Sequence, residues 1–570
     1  MQLKNPFPAL PPAEGPPWRE YAILGLLLSA VFLACFKPLS DPDTYWHLAL
    51  GREIWQTGQL VQTETFSFTK AGTPWPDTEW LFHTFLYPVW KATGDMGLQI
   101  ATALAGVLGL GLAYRCVRIM GGSASAMAIF LLPTLPAYAA RVRCRPDAVS
   151  ILLMAVLCEL LFRWHRRLPE ASPYRWWIAG LFFLWVQVHG AWIYGLVLLW
   201  AFIAGALLDA WRGRHLCADG AEGLLAPGLA SLAVLFFNPY GWLLPAFPFK
   251  ALGSFSDPSF VGISEWSRTP FTGIYGAFSV AVLGTLAGVL LVRRRFSWSE
   301  FLPAASQVAL GLYWVRYGAF AVVALSGSAS SRLALLRNSP SMRRVFPVAG
   351  ALCAGGLLLA QLPAVFNRPN LSERYPMQEC AFIKRHLAGG HLFHEFRVGG
   401  YMEWALPSEF KTLMDGRLLF ANTVAPEYVK AHRTPEAFAS FLKKFPTDVA
   451  LYPYPEFQLV APGGGPPRGP SAILFPREDW ALCHLGPYGM VFLKREGRNN
   501  PTIKDCEYTT LRPDDLAYLL WATGAGKVSP VVLADDIRRA LADDCPAGLQ
   551  GAFRAALVRL NPREGSGRAS

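Results

Sequence analysis

The feature that most constrains this chain is a series of eleven apolar runs, near 20–37, 97–117, 124–140, 147–163, 176–190, 192–209, 224–239, 274–292, 301–315, 317–331 and 346–363. A run of about 20 apolar residues matches the hydrocarbon thickness of a bilayer, and a backbone placed there must satisfy its own polar groups, as a helix does. The series therefore predicts an α-helical, multi-pass membrane protein. With 53% apolar and only 16% charged residues, the chain is neither disordered nor an ordinary soluble enzyme. Several runs are short for an upright span, so short, bent or paired half-spans are expected at 124–140, 176–190 and 301–331. The run from Tyr21 to Phe36 has no small-residue cleavage site and is expected to stay as an anchor.

A net charge of +12 would suit a nucleic-acid partner if it were gathered on one surface. Instead the basic residues sit in short loops between apolar runs, which is a topology signal, so no nucleic acid is expected. With the N-terminus in the cytoplasm, the inside loops collect Arg115, Arg118, Arg163, Arg166, Arg167, Arg175, Arg212, Arg214, Arg293 to Arg295, Arg332, Arg337, Arg343 and Arg344. The loop 38–95 and everything after residue 364 then face outward, as in a bacterial inner membrane with a periplasmic C-terminal domain. The ten cysteines show no CxxC or Cys/His spacing and give no support for a zinc site.

Within the loop 38–95, SDPDTYWHLALGREI places Asp41 and Asp43 directly after the first span, beside Trp46 and His47. The segment Trp80 to Trp90 is too short to cross a bilayer but suits its interface. Carboxylates held at that height suit chemistry on a lipid-linked substrate; the alternative is that they cap the helix starting near Thr44. Arg141, Arg143 and Arg145 in RVRCRPD, and Arg316 in WVRYG, lie at outer span ends, against the topology signal. Guanidinium groups bind phosphate through paired hydrogen bonds, so these four are candidate phosphate ligands, with headgroup snorkelling as the alternative. Gln187 and His189 stand beside Gly190 at a bend, Asn238 ends a span in NPYGW, and Glu265 precedes Trp266. Such polar groups at the membrane edge are costly unless a cavity uses them; His189 reads equally well as a structural histidine.

After Pro363 the character changes. PMQECAFIKRHL has helical spacing, and HLFHEF, YMEWAL, FKTLMDG, DVALYPY, ALCHLG and GMVFLK read as strands of an α/β domain. Gly399-Gly400 indicates a turn or a close backbone approach. Residues 512–560 turn helical, and Cys506 and Cys545 are candidates for a disulfide on an oxidising side. The expected boundaries are 1–19 (cytoplasmic), 20–363 (membrane), 364–505 (periplasmic α/β), 506–560 (helical) and 561–570 (disordered tail).

Taken together, DPDTYWHLALGREI, TEWL, VHGAWIYGL, NPYGW, the EW pair and GGYMEWAL…LMDGR resemble bacterial members of the GT-C glycosyltransferase superfamily with a trailing periplasmic domain. That resemblance covers roughly residues 20 to 500. It implies a polyprenyl-phosphate-linked sugar donor, a membrane lipid environment, and a glycan, lipid or protein acceptor. It further implies that Asp43, with Asp41 second, is the catalytic carboxylate, and that Glu79 of TEWL belongs to the substrate site. A divalent ion such as Mg or Mn, if used, would fall to Asp41 and Asp43. Tyr45-Trp46 stands where relatives often show two tryptophans, so an aromatic is kept. Two other functions fit the same chain: a non-catalytic scaffold or assembly protein with this fold, and a transporter of lipid-linked glycan. Against the transporter, the carboxylates lie in a long loop and no internal repeat is evident.

Overall fold

A computed structural model of the chain describes every residue except 1–16, 167–173, 214–221, 256–265, 293–295, 368, 369, 456, 460–465, 544 and 561–570. It divides into two compact units. The first comprises 1–41, 54–60 and 76–369, and the second 42–53, 61–75 and 370–570.

The first unit is a helical bundle. Its helices are α1 (Pro17–Cys35), the end of α2 (Asp43–Thr57), α3 (Trp80–Ile119), α4 (Ala124–Arg141), α5 (Pro146–His165), α6 (Trp177–Val188) and α7 (Trp192–Trp211), followed by α8 (Leu225–Ala233), α9 (Leu243–Phe255), α10 (Gly273–Leu291), α11 (Trp298–Tyr313), α12 (Gly318–Ala334) and α13 (Pro340–Phe366). Among the described residues, six helices are long and apolar enough to cross a membrane: α1, α3, α5, α7, α10 and α13. The chain is thus a multi-pass membrane protein, with six of the eleven expected spans meeting that length and composition. Two others, at Trp177–Val188 and Leu225–Phe236, are apolar but shorter. The segment Trp80 to Trp90 is the start of α3, a helix interrupted at Gly94, whose φ of 64° is open to glycine but strained for other residues.

The centre of the bundle is α12, buried from Gly318 to Ser331. Small residues make this possible. Gly318 lies against Ala137 of α4, and Gly327 against Phe162 and Met120. Close backbone approach replaces the hydrophobic drive that helices lack in lipid.

The second unit is built on a five-stranded mixed sheet in the order β2-β1-β3-β5-β4. Its strands are β1 (Gly390–Phe393), β2 (Phe410–Lys411), β3 (Val449–Pro453), β4 (Trp480–Leu485) and β5 (Gly489–Lys494). β1 pairs in parallel with β2 and β3, while β5 pairs antiparallel with β3 and β4. Successive side chains alternate between two buried faces. Val449 and Leu451 pack with Ile383 and Val491, whereas Ala450 and Tyr452 pack with Phe475 and Phe492. Burial on both faces explains why the strands read as continuous apolar runs.

Three sequence expectations are corrected here. YMEWAL is helical, within Gly399–Ala405, because Gly399 and Gly400 pack tightly against the Met414 carbonyl and Trp46 and the helix buries Met402 and Glu403. In FKTLMDG only Phe410 and Lys411 pair as a strand. Cys506 and Cys545 are both free thiols, and Cys506 donates to the Thr502 carbonyl at 2.8 Å, within its own helical turn.

Candidate functional site

In the first unit, the tight loop between α4 and α5 gathers charge. Arg141 ends α4, Arg145 precedes Pro146 at the start of α5, and Asp147 sits in the first turn of α5. Proline at that position starts the helix, and an acidic first turn suits the helix dipole. Asp147 is buried, and three guanidinium groups converge on it. Arg141 lies 2.7 Å away, Arg145 at 3.8 Å, and Arg316, from the turn before α12, at 3.9 Å. Arg316 also stacks 3.9 Å over the Trp266 ring. Asp41 forms a second anionic centre, 3.0 Å from Arg143 and 3.5 Å from Arg145. All four sequence-predicted arginines therefore meet in one cluster with Asp41. Carboxylates fix the planar forks in place, as an arginine site for a phosphate requires.

A second group adjoins it, because His189 lies within electrostatic reach of Asp147. His189 follows α6 and is buried; its Nδ1 shares a 2.9 Å hydrogen bond with Ser150, which in turn accepts from Trp185 Nε1 at 2.9 Å. Its Nε2 faces Glu79 Oε1 at 3.5 Å. The other Glu79 oxygen faces His83 Nε2 at 3.9 Å, and His83 Nδ1 is held by Asp77 at 2.8 Å. Each imidazole thus has one nitrogen anchored and the other turned toward the same carboxylate. That is how metal-ligating histidines are oriented by outer partners, and Glu79 and His83 belong to a group whose ligand atoms lie close enough together for a metal ion.

The other residues singled out in the sequence are placed as follows. Asn238 closes its own turn, donating to the Leu235 and Gly241 carbonyls at 2.8 Å each. Gln187 accepts from Trp80 at 3.1 Å and donates to the Phe237 carbonyl at 2.8 Å. Glu265 lies outside the described residues. Asp43, Trp46 and His47 belong to the second unit.

There, Asp43 is the first residue of α2, and Trp46 and His47 are buried with their rings 3.7 Å apart. The Asp43 carboxylate packs against Gly416, and Trp46 against Gly400. Tyr45 meets Tyr375 and Tyr401 edge-on, each with ring centroids 4.9 Å away. Beside Gly416 lies a buried charge network. Arg417 pairs with Asp415 and, at 2.7 Å, with Glu64, while Glu403 accepts from Thr412 at 2.9 Å. Burial, then the neighbouring Asp415 charge, pushes Glu403 well above the usual carboxylate range. Burial also raises Glu64, with Arg417 opposing. His394 accepts from the Leu413 amide at 3.0 Å, and burial pulls it down to about 4, so it stays neutral.

Sequence reasoning missed Asp147, Asp77 and His83. Asp147 follows Arg145 by two residues in RVRCRPD, and three arginines in five residues beside a membrane call for a counter-charge. Glu79 and His83 show the i, i+4 spacing that puts two side chains on one helical face.

No known protein-family model and no curated protein sequence matches the chain, but solved structures do. Archaeal oligosaccharyltransferase AglB from Archaeoglobus fulgidus, in complex with an inhibitory peptide and a dolichol-phosphate, superposes with a TM-score of 0.50 at 12% identity, over 77% of this chain and 70% of that one. The Archaeoglobus fulgidus oligosaccharyltransferase in complex with Zn and sulfate gives 0.50 at 12% identity, over 75% and 68%. ArnT from Cupriavidus metallidurans in the apo state gives 0.50 at 14% identity, over 83% of this chain and 97% of that one. The chain thus has the fold of AglB and ArnT.

Proposed function

We propose that the chain is a membrane glycosyltransferase that moves a sugar from a polyprenyl-phosphate carrier to a glycan, lipid or protein acceptor at the outer face of a bacterial inner membrane. The observation that carries this reading is the cluster of Arg141, Arg143, Arg145 and Arg316, fixed by Asp147 and Asp41, in a protein whose fold is shared with an enzyme solved with a dolichol-phosphate.

The chemistry asks for two things. The acceptor hydroxyl must lose a proton as its oxygen bonds to the anomeric carbon, and the bond from that carbon to the phosphate oxygen must break. Asp43 takes the proton. The guanidinium groups of the arginine cluster hold the departing carrier phosphate and stabilise the charge it gains. Net, one C–O bond forms and one breaks, and the carrier leaves as polyprenyl phosphate. Glu79 and His83 would help hold a divalent ion, which when bound would supply further positive charge for a phosphate. Trp46 and His47 flank Asp43 on the acceptor side.

Mass spectrometry of polyprenyl-phosphate sugars and envelope glycans, with and without the gene, tests the proposal. One glycosylated product should vanish while its lipid-linked donor accumulates. Unchanged profiles of both sink the enzymatic reading and favour a scaffold.

A further inference from the structure

The first turn of α2 is wedged against the second unit's own loops at backbone distance. A methyl group built on Gly416 would sit 2.1 Å from Asp43 Oδ1, 3.3 Å from its Cγ and 3.6 Å from Trp46 Nε1. One built on Gly400 would sit 3.0 Å from Trp46 Cβ and 3.1 Å from its backbone nitrogen. Neither glycine has a positive φ, so their conformation does not demand glycine; the space does.

The loop that carries Gly416 is itself held stiffly. Its neighbours Asp415 and Arg417 are buried, and the Arg417 amide donates to Asp415 Oδ1 at 2.7 Å. Arg417 reaches Glu64 at 2.7 Å, and Glu64 Oε1 accepts from the amides of Phe66 and Ser67 at 2.8 and 2.7 Å. Thr412 bonds the Phe66 carbonyl through its backbone amide at 3.1 Å. Arg52, on α2 itself, donates to the carbonyls of Glu403 and Trp404 at 2.9 Å each. A loop braced this way cannot retreat from an added side chain, so the carboxylate must.

We infer that Gly416 is a positioning residue for Asp43: it leaves the gap in which the Asp43 carboxylate is set, and the Asp415–Arg417–Glu64 network keeps that gap from widening. This rests on the proposed role of Asp43 as base. The C-terminal part of the chain then serves the reaction directly, as the wall that aims the carboxylate, rather than as an appended partner-binding module. A base displaced by about 1 Å typically costs on the order of a hundredfold in rate.

The test is a double-mutant cycle in the full-length protein, read as the rate of product formation in gene-deleted cells carrying each allele, with binding of undecaprenyl phosphate to the purified protein as a second readout. Gly416→Ala should lower the rate at least tenfold with carrier-phosphate binding unchanged. Gly497→Ala, at a glycine with open space around it, should change neither. In an Asp43→Asn background, Gly416→Ala should produce no further loss, because it acts only through that carboxylate. An equal fall in both backgrounds overturns the inference, as does a near-normal rate for Gly416→Ala. The contact is also tested apart from activity: an Asp43→Cys/Gly416→Cys pair should cross-link on oxidation, seen as a joined peptide by mass spectrometry. Absence of the cross-link overturns the inference. A cross-link together with normal turnover in Asp43→Asn instead keeps the contact and removes Asp43's role as base.

Discussion

At the scale of single residues, the candidate site separates into groups whose roles follow from what surrounds them. Asp41 is bound between two arginines, whereas Asp43 stands at the start of α2 against a glycine. The two carboxylates of one short motif thus have different environments, one set between guanidinium groups and the other packed on a neighbouring loop. Asp43→Asn keeps shape and removes the proposed base. Transfer should fall by roughly a hundredfold to ten-thousandfold while binding of undecaprenyl phosphate is retained; near-normal turnover of the purified variant would refute the assignment. Glu379 offers a check on the second unit's electrostatics. It is fully buried, accepts from the amides of Tyr488 and Gly489 at 2.8 and 3.0 Å, and burial lifts it to about 7. A carboxyl raised in the folded state holds its proton when the unfolded chain has lost it, so stability declines as pH climbs from about 4.5 to about 7. Glu379→Gln keeps the acceptor oxygen without the charge. It should match the parent below pH 4.5 and exceed it above pH 7 by up to about 3 kcal/mol, measured by thermal unfolding in detergent. A difference independent of pH would assign the effect to packing. The arginine cluster was legible in the sequence because charge beside an apolar run is conspicuous. Asp147 and His83 were not, because a single acid or histidine gains meaning only from partners that folding supplies.

At the scale of elements, the bundle depends on a few close crossings. Where α7 meets α11, a methyl on Gly205 would lie 2.2 Å from the Trp298 carbonyl oxygen and 2.7 Å from Ser299 Cα, both backbone atoms. One turn further along α7, Asp209 accepts from the amides of Trp298 and Ser299, each at 2.9 Å, and from the Ser299 hydroxyl at 2.7 Å. The start of α11 is therefore capped by a neighbouring helix rather than by its own Ser297. Gly205→Ala must push the helices apart and strain that cap, so a loss of about 1–3 kcal/mol is expected. Gly284→Ala, at an open position on α10, should be neutral or slightly stabilising. Equal effects at both sites, in melting curves of the purified protein, would show that the crossing is not tight. The long apolar helices could be read from hydropathy because length and composition alone define them. The helical YMEWAL could not, since alternating and helical apolar patterns are ambiguous over six residues and the decision fell to Gly399 and Gly400 packing on their neighbours.

At the scale of the whole molecule, the composition of the second unit restricts how the chain is threaded. Residues 42–53 and 61–75 fold into one compact unit with 370–570, so both stretches occupy the same side of the membrane. The intervening chain must then cross an even number of times. Between Trp75 and Asn370 the described residues contain five helices long and apolar enough to span, namely α3, α5, α7, α10 and α13. Five is odd, so if all five cross, at least one shorter or less apolar helix, among α4, α6, α8, α9, α11 and α12, also crosses. Such a helix would need to be bent, or sheltered by neighbours from lipid, and the burial of α12 from Gly318 to Ser331 makes it well sheltered. The basic loops then lead to the expectation that the second unit lies outside. Ser440 lies exposed on that unit, on the helix Pro435–Lys444. In Ser440→Cys protein, a membrane-impermeant maleimide should label intact spheroplasts beyond the level of the parent, and breaking the membrane should add nothing. Arg344→Cys, in the first turns of α13 and on the expected inner side, should behave in the opposite way. Labelling of the Ser440→Cys variant only after lysis would invert the topology and move the proposed site away from outward-facing lipid-linked sugars; labelling of both variants from outside would show that α13, which alone separates the two positions, does not cross.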